Sequence, residues 1–466
     1  MTIGSMSPTM EKDSRKKNHS VVNEKTPLLP TKASSSDQSE FDGICGASFA
    51  GAVFNLSTSV VGAGIMSLPA TMKVLGLGPG VAMILMMALL TEVSIEMLMR
   101  FSRAAKAFSY SGVMGDAFGK TGRMMLQICI ILNNFQGLIV YTIIVGDVLS
   151  GKTSSGIHHP GILEGWFGQQ WWTGRSFVIM ATTILVFAPL ASFKRIDSLR
   201  FTSAMSVALA VVFVVITAGI AIVKLLEGSV GMPRLLPNVT DHASIWKLFT
   251  VIPVLVTAFN CHFTVHSIDN ELEDSSDMQP TVRTSLILCS SVYVATSFFG
   301  FLLFGDNTLD DILANFDSNL GIPFSSLLND TVRVSYALHL MLVFPVVFHA
   351  MRINVDGLLF PSSRPLDLDN KRFIGISIAM LGAAQFAANF IPNIWIMFQF
   401  MGATTAVSNG FIFPASIALR DPHGIATRKD RILGISMIVL AVFSSIVAIS
   451  NNAYSVFNKS STSPKS

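Results

Sequence analysis

The chain has 466 residues, of which 51% are hydrophobic and only 13% charged, and its mean hydropathy is +0.57. Soluble proteins normally carry about 25% charged residues, so this composition excludes a water-soluble globular protein and indicates one that crosses a membrane several times. The formal charge of +3, without a basic array interleaved with aromatic residues, argues against nucleic-acid binding. The four cysteines lack the spacing of a zinc site.

Residues 1–42 are rich in Ser, Thr, Lys and Asp and contain little that can be buried, which predicts a disordered N-terminal tail. Within this tail, the stretch EKTPLL places the acidic residue Glu24 before the leucine pair Leu28 and Leu29. The pattern resembles the dileucine sorting signal that adaptor proteins read for vacuolar or lysosome-like membranes. A pattern this short also arises by chance, so both interpretations stay open.

Eleven apolar segments follow, and they predict an all-α integral membrane domain with eleven transmembrane helices over residues 43–452. The segments run roughly over 44–70, 76–100, 124–150, 176–193, 201–226, 245–268, 284–305, 331–358, 373–391, 394–419 and 432–452. The count of eleven requires a tight turn at Pro392. Lys and Arg are more frequent in the loops that share a side with the N-terminal tail, which places that tail in the cytosol and the short tail 453–466 on the opposite side.

The first segment contains FNLSTSVVGAGIMSLP, in which Gly62 and Gly64 can break the helix. In a bilayer, irregular backbone survives only where it is buried in protein or lines a cavity. The amides freed by such a break, at the positive end of a half-helix, attract a carboxylate. Close helix packing is the alternative explanation of these glycines.

The sixth segment carries Pro253 and then a polar cluster of Thr257, Asn260 and His262. It lies five segments after the first. Secondary transporters built as five-plus-five inverted repeats place their two broken helices at these positions, with the substrate between them. The pair of segments therefore predicts that fold, with helices 1 and 6 broken.

The stretches FNLSTSVVGAGIMSLP, FNCHFTVHSIDNELED and RVSYALHLMLVFPVVFHAMR resemble the amino acid/auxin permease family. They are most similar to its plant vacuolar amino acid transporter branch, which is related to the animal sodium-coupled neutral amino acid transporters. The resemblance covers about residues 43–452 and implies the inverted-repeat transporter fold and coupled transport of amino acids. The substrate-binding residues it implies are Thr58, Val61, Gly62, Ala63, Gly64, Ile65, Phe259, Asn260 and His262.

Two departures from the sodium-coupled members bear on the coupling ion. Thr58 stands where those members have an Asn, and the stretch from His339 to Pro345 lacks the hydroxyl of the aligned stretch. Because sodium needs several oxygen ligands, these departures argue against a sodium site of that kind. Glu92 and His262 are instead the proton-coupling candidates, since each is an ionisable residue inside an apolar segment. A purely structural role remains the alternative for both.

A dense polar patch in the third segment has two interpretations, hydrogen bonds between helices or the lining of a cavity. It consists of Asn133, Asn134, Gln136 and Tyr141.

The function expected from these features is proton-coupled transport of amino acids from the vacuole to the cytosol. Neutral substrates are favoured because no Arg or Lys lies at mid-membrane depth. An amino-acid sensor with little flux and a plasma-membrane importer are the alternatives. An enzyme is not expected, because no HExxH motif or other metal-ligand cluster is present, and no cofactor is predicted. The expected partners are the amino acid, protons, the lipid bilayer and a sorting adaptor.

Overall fold

The computed structural model describes residues 47–461, apart from 155–156, 241, 318–319, 391–396 and 398–399. The sorting pattern of Glu24, Leu28 and Leu29 lies outside the described residues, as do the rest of the tail 1–42 and the turn at Pro392. The elements in chain order are α1 (Phe49–Val60), α2 (Leu68–Leu75), α3 (Leu77–Ala105), α4 (Tyr110–Ser150), β1 (Gly151–Ser154), β2 (Ile157–Pro160), α5 (Ile162–Phe167), α6 (Arg175–Thr182), α7 (Ala188–Ala191), α8 (Arg200–Leu226), α9 (His242–Ala258), α10 (His262–Glu271), α11 (Met278–Phe304), α12 (Ser325–Leu359), α13 (Asn370–Phe390), α14 (Phe413–Arg420) and α15 (Arg428–Ser461).

Eight helical stretches are long and apolar enough to cross a membrane, and the bent pair of α1 and α2 brings the number to nine among the described residues. Two of the eleven predicted spans are not among these nine. The fourth is the shorter apolar helix Arg175–Ala191, and the tenth is described only in part, with π-helical turns over Gly402–Ala406 and Ser408–Ile412 leading into α14. The eleven-helix count and the inverted repeat therefore stay predictions.

Three local features differ from the predicted segments. The helix α4 begins at Tyr110, earlier than predicted, because it includes a first part that ends in a kink at Gly119. The last helix continues to Ser461, beyond the predicted start of the tail at 453. A two-stranded antiparallel hairpin of β1 and β2 follows α4, where only a loop between helices was expected.

The core of the molecule is built around α1 and α12. The helix α1 packs against α8 and α11, and α12 packs against α4 and α8. Of the long helices, α12 is the most deeply buried. Aromatic side chains fill its contact with the fourth predicted span, where the rings of Phe187 and Phe344 stack with centroids 3.9 Å apart.

The outer ends of α1 and α10 are joined by main-chain hydrogen bonds. The amide of Ala47 donates to the Glu271 carbonyl at 2.7 Å, and Ala47 forms a parallel bridge with Leu272. The Glu271 carboxylate accepts hydrogen bonds from the amides of Ile196 and Asp197, which precede α8. The half-helices α1 and α10 therefore lie side by side, and their inner ends are next to each other.

Candidate functional site

The first segment is broken as predicted, immediately after α1. We call Val61–Gly62 the first break: α1 ends at Val60, and the 3-10 turn Ala63–Ser67 leads into α2. The helices before and after the break are inclined by 48°. The first amides of a helical turn have no acceptor within the turn. The Ala63 amide bonds to the Tyr141 hydroxyl, so the Gly64 amide is the donor that the first break offers to a ligand.

The sixth segment is also broken, at Phe259–Cys261, which we call the second break. It contains neither glycine nor proline. Pro253 lies inside α9, which continues for a further turn to Ala258 before the break. The amide of Asn260 donates to the Thr257 carbonyl at 3.3 Å, and α10 begins at His262.

A cavity lies between the two breaks, and its volume of ≈ 40 Å³ leaves room for about three water molecules. No acidic or basic side chain belongs to its lining. The lining residues are Ser59, Val60, Gly62, Ala63, Gly64, Asn133, Asn134, Gly137, Tyr141, Thr257, Asn260, Phe263, Val347 and Met401. This volume is smaller than an amino acid, so these side chains must move apart before one can bind.

The two predicted glycines lie against different neighbours. A Cβ atom at Gly62 would collide with the Tyr141 hydroxyl, so Gly62 allows this polar side chain to reach the backbone of the first break. A Cβ atom at Gly64 would lie 3.0 Å from the Cα atom of Ala258, so Gly64 allows α9 to pack closely. Both glycines thus allow close contact with a neighbouring part of the protein, and both line the cavity. Access of a ligand to their backbone stays a prediction.

A chain of amides connects the second break to α4. The Nδ2 atom of Asn260 donates to Oδ1 of Asn133 at 3.1 Å, and Nδ2 of Asn133 donates to Oδ1 of Asn134 at 3.1 Å. The Thr405 hydroxyl donates to the same oxygen of Asn133 at 3.3 Å. In the described part of the chain, Oδ1 of Asn260 has no hydrogen-bond partner, which leaves an acceptor beside the cavity. Of the polar patch predicted on the third segment, Asn133, Asn134 and Tyr141 line the cavity.

Tyrosine hydroxyls bond to carbonyls around both breaks. The Tyr293 hydroxyl lies 2.6 Å from the carbonyl oxygen of Val60 and 2.7 Å from that of Ala258, the last residues of α1 and α9. The Tyr336 hydroxyl donates to the Gly62 carbonyl at 3.1 Å. The Val60 carbonyl also accepts from the Gly62 amide at 3.0 Å, and the Gly62 carbonyl accepts from the Ile65 amide at 3.4 Å. The tyrosine hydroxyls therefore add a donor from another helix to the backbone around each break.

Several residues predicted for the site are absent from the cavity lining. The Thr58 hydroxyl donates to the Ser203 carbonyl on α8 at 3.0 Å, so it joins helices. Phe259 packs edge-to-face against Tyr293, with ring centroids 5.1 Å apart. Val61 and Ile65 are fully buried and also lie outside the lining. The cavity thus brings together Gly62, Ala63, Gly64 and Asn260 of the predicted residues.

The two proton-coupling candidates have different environments. His262 is buried, and its Nε2 atom lies 3.1 Å from the Ser94 hydroxyl, which itself donates to the Gly410 carbonyl. Since a hydroxyl has one hydrogen, Nε2 of His262 is the donor in the first bond. Glu92 accepts a hydrogen bond from Nε of Arg283 at 2.9 Å in an ion pair away from the cavity.

Sequence reasoning missed the two tyrosines that hold the breaks, Tyr293 and Tyr336. A signal for them exists, because the whole chain has only five tyrosines and polar side chains are costly inside apolar segments. Phe263, Val347 and Met401 were also missed, and nothing distinguishes these apolar residues from ordinary helix contacts.

A family model described as "Transmembrane amino acid transporter protein" matches residues 46–454. The amino acid transporter AVT6A of Arabidopsis thaliana is 60% identical over 98% of this chain and 98% of its own length. The sodium-coupled neutral amino acid symporter 2 of Danio rerio is 24% identical over 80% of this chain and 75% of its own. The resemblance found in the sequence is thereby confirmed.

Among solved structures, a manganese transporter from Eremococcus coleocola superposes with a TM-score of 0.57 at 13% sequence identity. The match covers 92% of this chain and 91% of the other. Identity this low relates the folds alone. The relatives and this structural neighbour are transporters, not enzymes.

Proposed function

Because this chain belongs to the transmembrane amino acid transporter family, we propose that it is a proton-coupled secondary transporter of neutral amino acids. The observation that carries the proposal is the cavity between the two helix breaks, which offers main-chain groups and amide side chains but no charge. A five-plus-five inverted repeat, with the breaks in its first and sixth helices, is the proposed architecture.

The cavity supplies partners for both ends of a zwitterionic amino acid. The amide at Gly64 suits the carboxylate, as helix N-termini generally do. The unpartnered oxygen of Asn260 suits the ammonium group. An acidic or basic substrate side chain has no opposite charge to meet in the lining, so its desolvation would be uncompensated.

The proposed coupling ion is the proton. His262 is the group that supports it among the two sequence candidates, because it is buried at the start of α10 and its Nδ1 atom has no partner among the described residues. Glu92 forms an ion pair with Arg283 away from the cavity, which favours His262 as the proton carrier. The Thr58 hydroxyl donates to the Ser203 carbonyl and so joins α1 to α8.

We propose the vacuolar membrane as the location, with the N-terminal tail in the cytosol and a sorting adaptor reading Glu24, Leu28 and Leu29. Protons leaving an acidic lumen would then drive amino acids into the cytosol. A gradient of about 1.5 pH units is worth roughly 2 kcal/mol per proton. This corresponds to about a thirtyfold concentration ratio for one proton per amino acid.

The test is uptake of radiolabelled amino acids into vesicles that contain the purified protein, without sodium. We expect accumulation of neutral amino acids only when the compartment they leave is the more acidic one. Uptake that requires sodium and ignores the pH difference would refute proton coupling. Binding without flux would indicate a sensor, and a plasma-membrane location of the tagged protein would refute the vacuolar assignment.

A further inference from the structure

A second buried histidine faces the first break from α12. His339 is fully buried, and its Nδ1 atom lies 2.8 Å from the Ser206 carbonyl oxygen and 2.9 Å from the Ser206 hydroxyl on α8. A carbonyl oxygen only accepts hydrogen bonds, so Nδ1 of His339 carries a hydrogen. The protonation state of the ring is therefore decided at its other nitrogen, Nε2.

The Nε2 atom of His339 has no hydrogen-bond partner in the part of the chain that the structure describes. In the neutral ring this atom presents a bare lone pair, which is costly for a fully buried atom. Protonation would turn it into a donor. In the neutral ring, Nε2 thus lacks a hydrogen-bond partner, and Nε2 is also the atom to which a proton binds.

Complete burial opposes a positive charge on the His339 ring, and the groups around the ring offset part of this cost. The Val61 carbonyl lies within electrostatic reach of the ring, and the neighbouring Tyr336 ring stacks on it at 5.3 Å while its hydroxyl bonds to the Gly62 carbonyl. The C-terminal end of α1, at Val60, carries the negative end of the helix dipole, which stabilises cations.

Few charged groups lie around this site among the described residues. The helix α1 contains no titratable residue, and in α8 the charged residues Arg200 and Lys224 stand at the two ends. The titratable groups nearby are the hydroxyls of Tyr336 on α12 itself, Tyr141 on α4 and Tyr293 on α11, and the carboxylate of Asp311, which lies within electrostatic reach of Tyr336. No described carboxylate or cationic side chain pairs with His339.

We propose that Nε2 of His339 is a proton-binding site that holds the first break in its present conformation. This inference rests on the proposed proton coupling. A proton taken up at Nε2 gives the ring a donor for the Val61 carbonyl, next to the end of α1. Without the proton, Nε2 and the Val61 carbonyl oxygen are both acceptors, so α1 and α12 separate more easily there. The proton and the substrate thereby act on the same stretch of backbone, which couples their binding.

The main test is a His339→Asn variant in sealed vesicles. Asparagine keeps an amide donor where Nδ1 stands, toward the Ser206 carbonyl, but it cannot bind a proton. We expect loss of accumulation driven by a pH difference, while exchange of labelled for unlabelled amino acid at equal pH stays within about threefold of the wild-type rate. The matched control is His349→Gln on the same helix, because His349 is buried and donates from Nε2 to the Lys194 carbonyl.

The outcomes separate this inference from the proposed function. If the His339→Asn variant accumulates amino acid as the wild type does, the inference about His339 is overturned and the proposed function is not. If accumulation by the wild-type protein does not depend on the pH difference, the inference and the proposed function are both overturned. Equal loss in His339→Asn and His349→Gln would mean that any buried histidine of α12 is needed for folding, and would overturn the specific role.

A second variant, Ser206→Ala, tests the site if His339→Asn does not fold. It removes one oxygen beside Nδ1 and leaves the carbonyl, so the protonated ring loses stabilisation. We expect the pH of half-maximal uptake to fall by about half a unit, with the maximal rate kept. An unchanged pH dependence would overturn the proposal.

Discussion

The two helix breaks in the centre of the molecule are formed by different means. The first contains Gly62, whose missing side chain admits the Tyr141 hydroxyl to the backbone. The second, Phe259–Cys261, has no glycine or proline and is fixed by the hydrogen bond from Asn260 to Asn133. One break depends on an absent side chain, and the other depends on a side chain that is present.

The breaks nevertheless share one support, the hydroxyl of Tyr293. It lies within hydrogen-bond distance of the last carbonyls of α1 and α9, at Val60 and Ala258. A hydroxyl has a single hydrogen, so the two carbonyls share one donor. The negative ends of two helix dipoles also meet there. A movement that takes either helix away from Tyr293 leaves the hydrogen for the other, which links the two breaks physically.

The largest effect that distinguishes the breaks is expected from Gly62→Ala. The added methyl group would collide with the Tyr141 hydroxyl, so the cavity cannot close around a substrate. We expect transport efficiency to fall by about a hundredfold or more. The measurement is initial uptake against substrate concentration. The control is Gly137→Ala, which lines the same cavity but whose new Cβ atom meets no atom within 4 Å.

Adding Tyr141→Phe to Gly62→Ala sharpens the test, because it removes the oxygen that the methyl group meets. The double variant is expected to recover part of the lost transport. If Gly62→Ala transports as well as Gly137→Ala, then close approach of Tyr141 to the first break is unimportant.

A smaller effect, on both breaks at once, is expected from Tyr293→Phe. The change removes the Tyr293 donor from the Ala258 carbonyl and leaves the Val60 carbonyl with the Gly62 amide alone. A buried carbonyl left without a donor costs about 1–3 kcal/mol, so the free energy of unfolding should fall by an amount in that range. Tyr336→Phe, which leaves the Gly62 carbonyl with the Ile65 amide, is the comparison and should cost less. Denaturant unfolding of the purified proteins in detergent measures both. A smaller loss for Tyr293→Phe than for Tyr336→Phe would contradict the shared support.

The fold was predictable where the signal is local. Apolar runs of about 20 residues indicate membrane helices by length alone, and Gly62 and Gly64 indicate a break because few other residues leave a helix so readily. The short helix Arg175–Ala191 limits this method, since an apolar segment does not reveal how many of its residues are helical. The second break was predictable only through Asn260 and its polar neighbours, and the nearby Pro253 is not its cause.

The site was predictable in its backbone part and in a few polar side chains. The resemblance placed nine residues in it, and the cavity contains four of them, Gly62, Ala63, Gly64 and Asn260. Whether a side chain such as Thr58 faces a cavity or a neighbouring helix depends on how the helices rotate against each other. Tyr293 and Tyr336 were missed for a related reason, because they act on carbonyls that are more than 30 residues away along the chain.

Asn260→Ala concerns the second break alone. It removes the bond to Asn133 and the acceptor beside the cavity, so we expect KM to rise by about tenfold, the value of one or two hydrogen bonds. The maximal rate should change less. Asn354→Ala is the control, since Asn354 bonds only within α12, to the Ala350 carbonyl. An equal rise of KM in both variants would show that the effect is not specific to the break.

The smallest effect is expected away from both breaks, at Glu92. Its carboxylate pairs with Arg283, whose side chain is 62% exposed, and exposed ion pairs contribute only about 0–1 kcal/mol. Glu92→Gln should therefore leave accumulation driven by a pH difference within about twofold of the wild type. Arg283→Gln is the matched control, because it removes the same pair from the other side. If Glu92→Gln alone abolishes accumulation while Arg283→Gln does not, the carboxyl group carries protons after all, and coupling does not depend on groups beside the breaks.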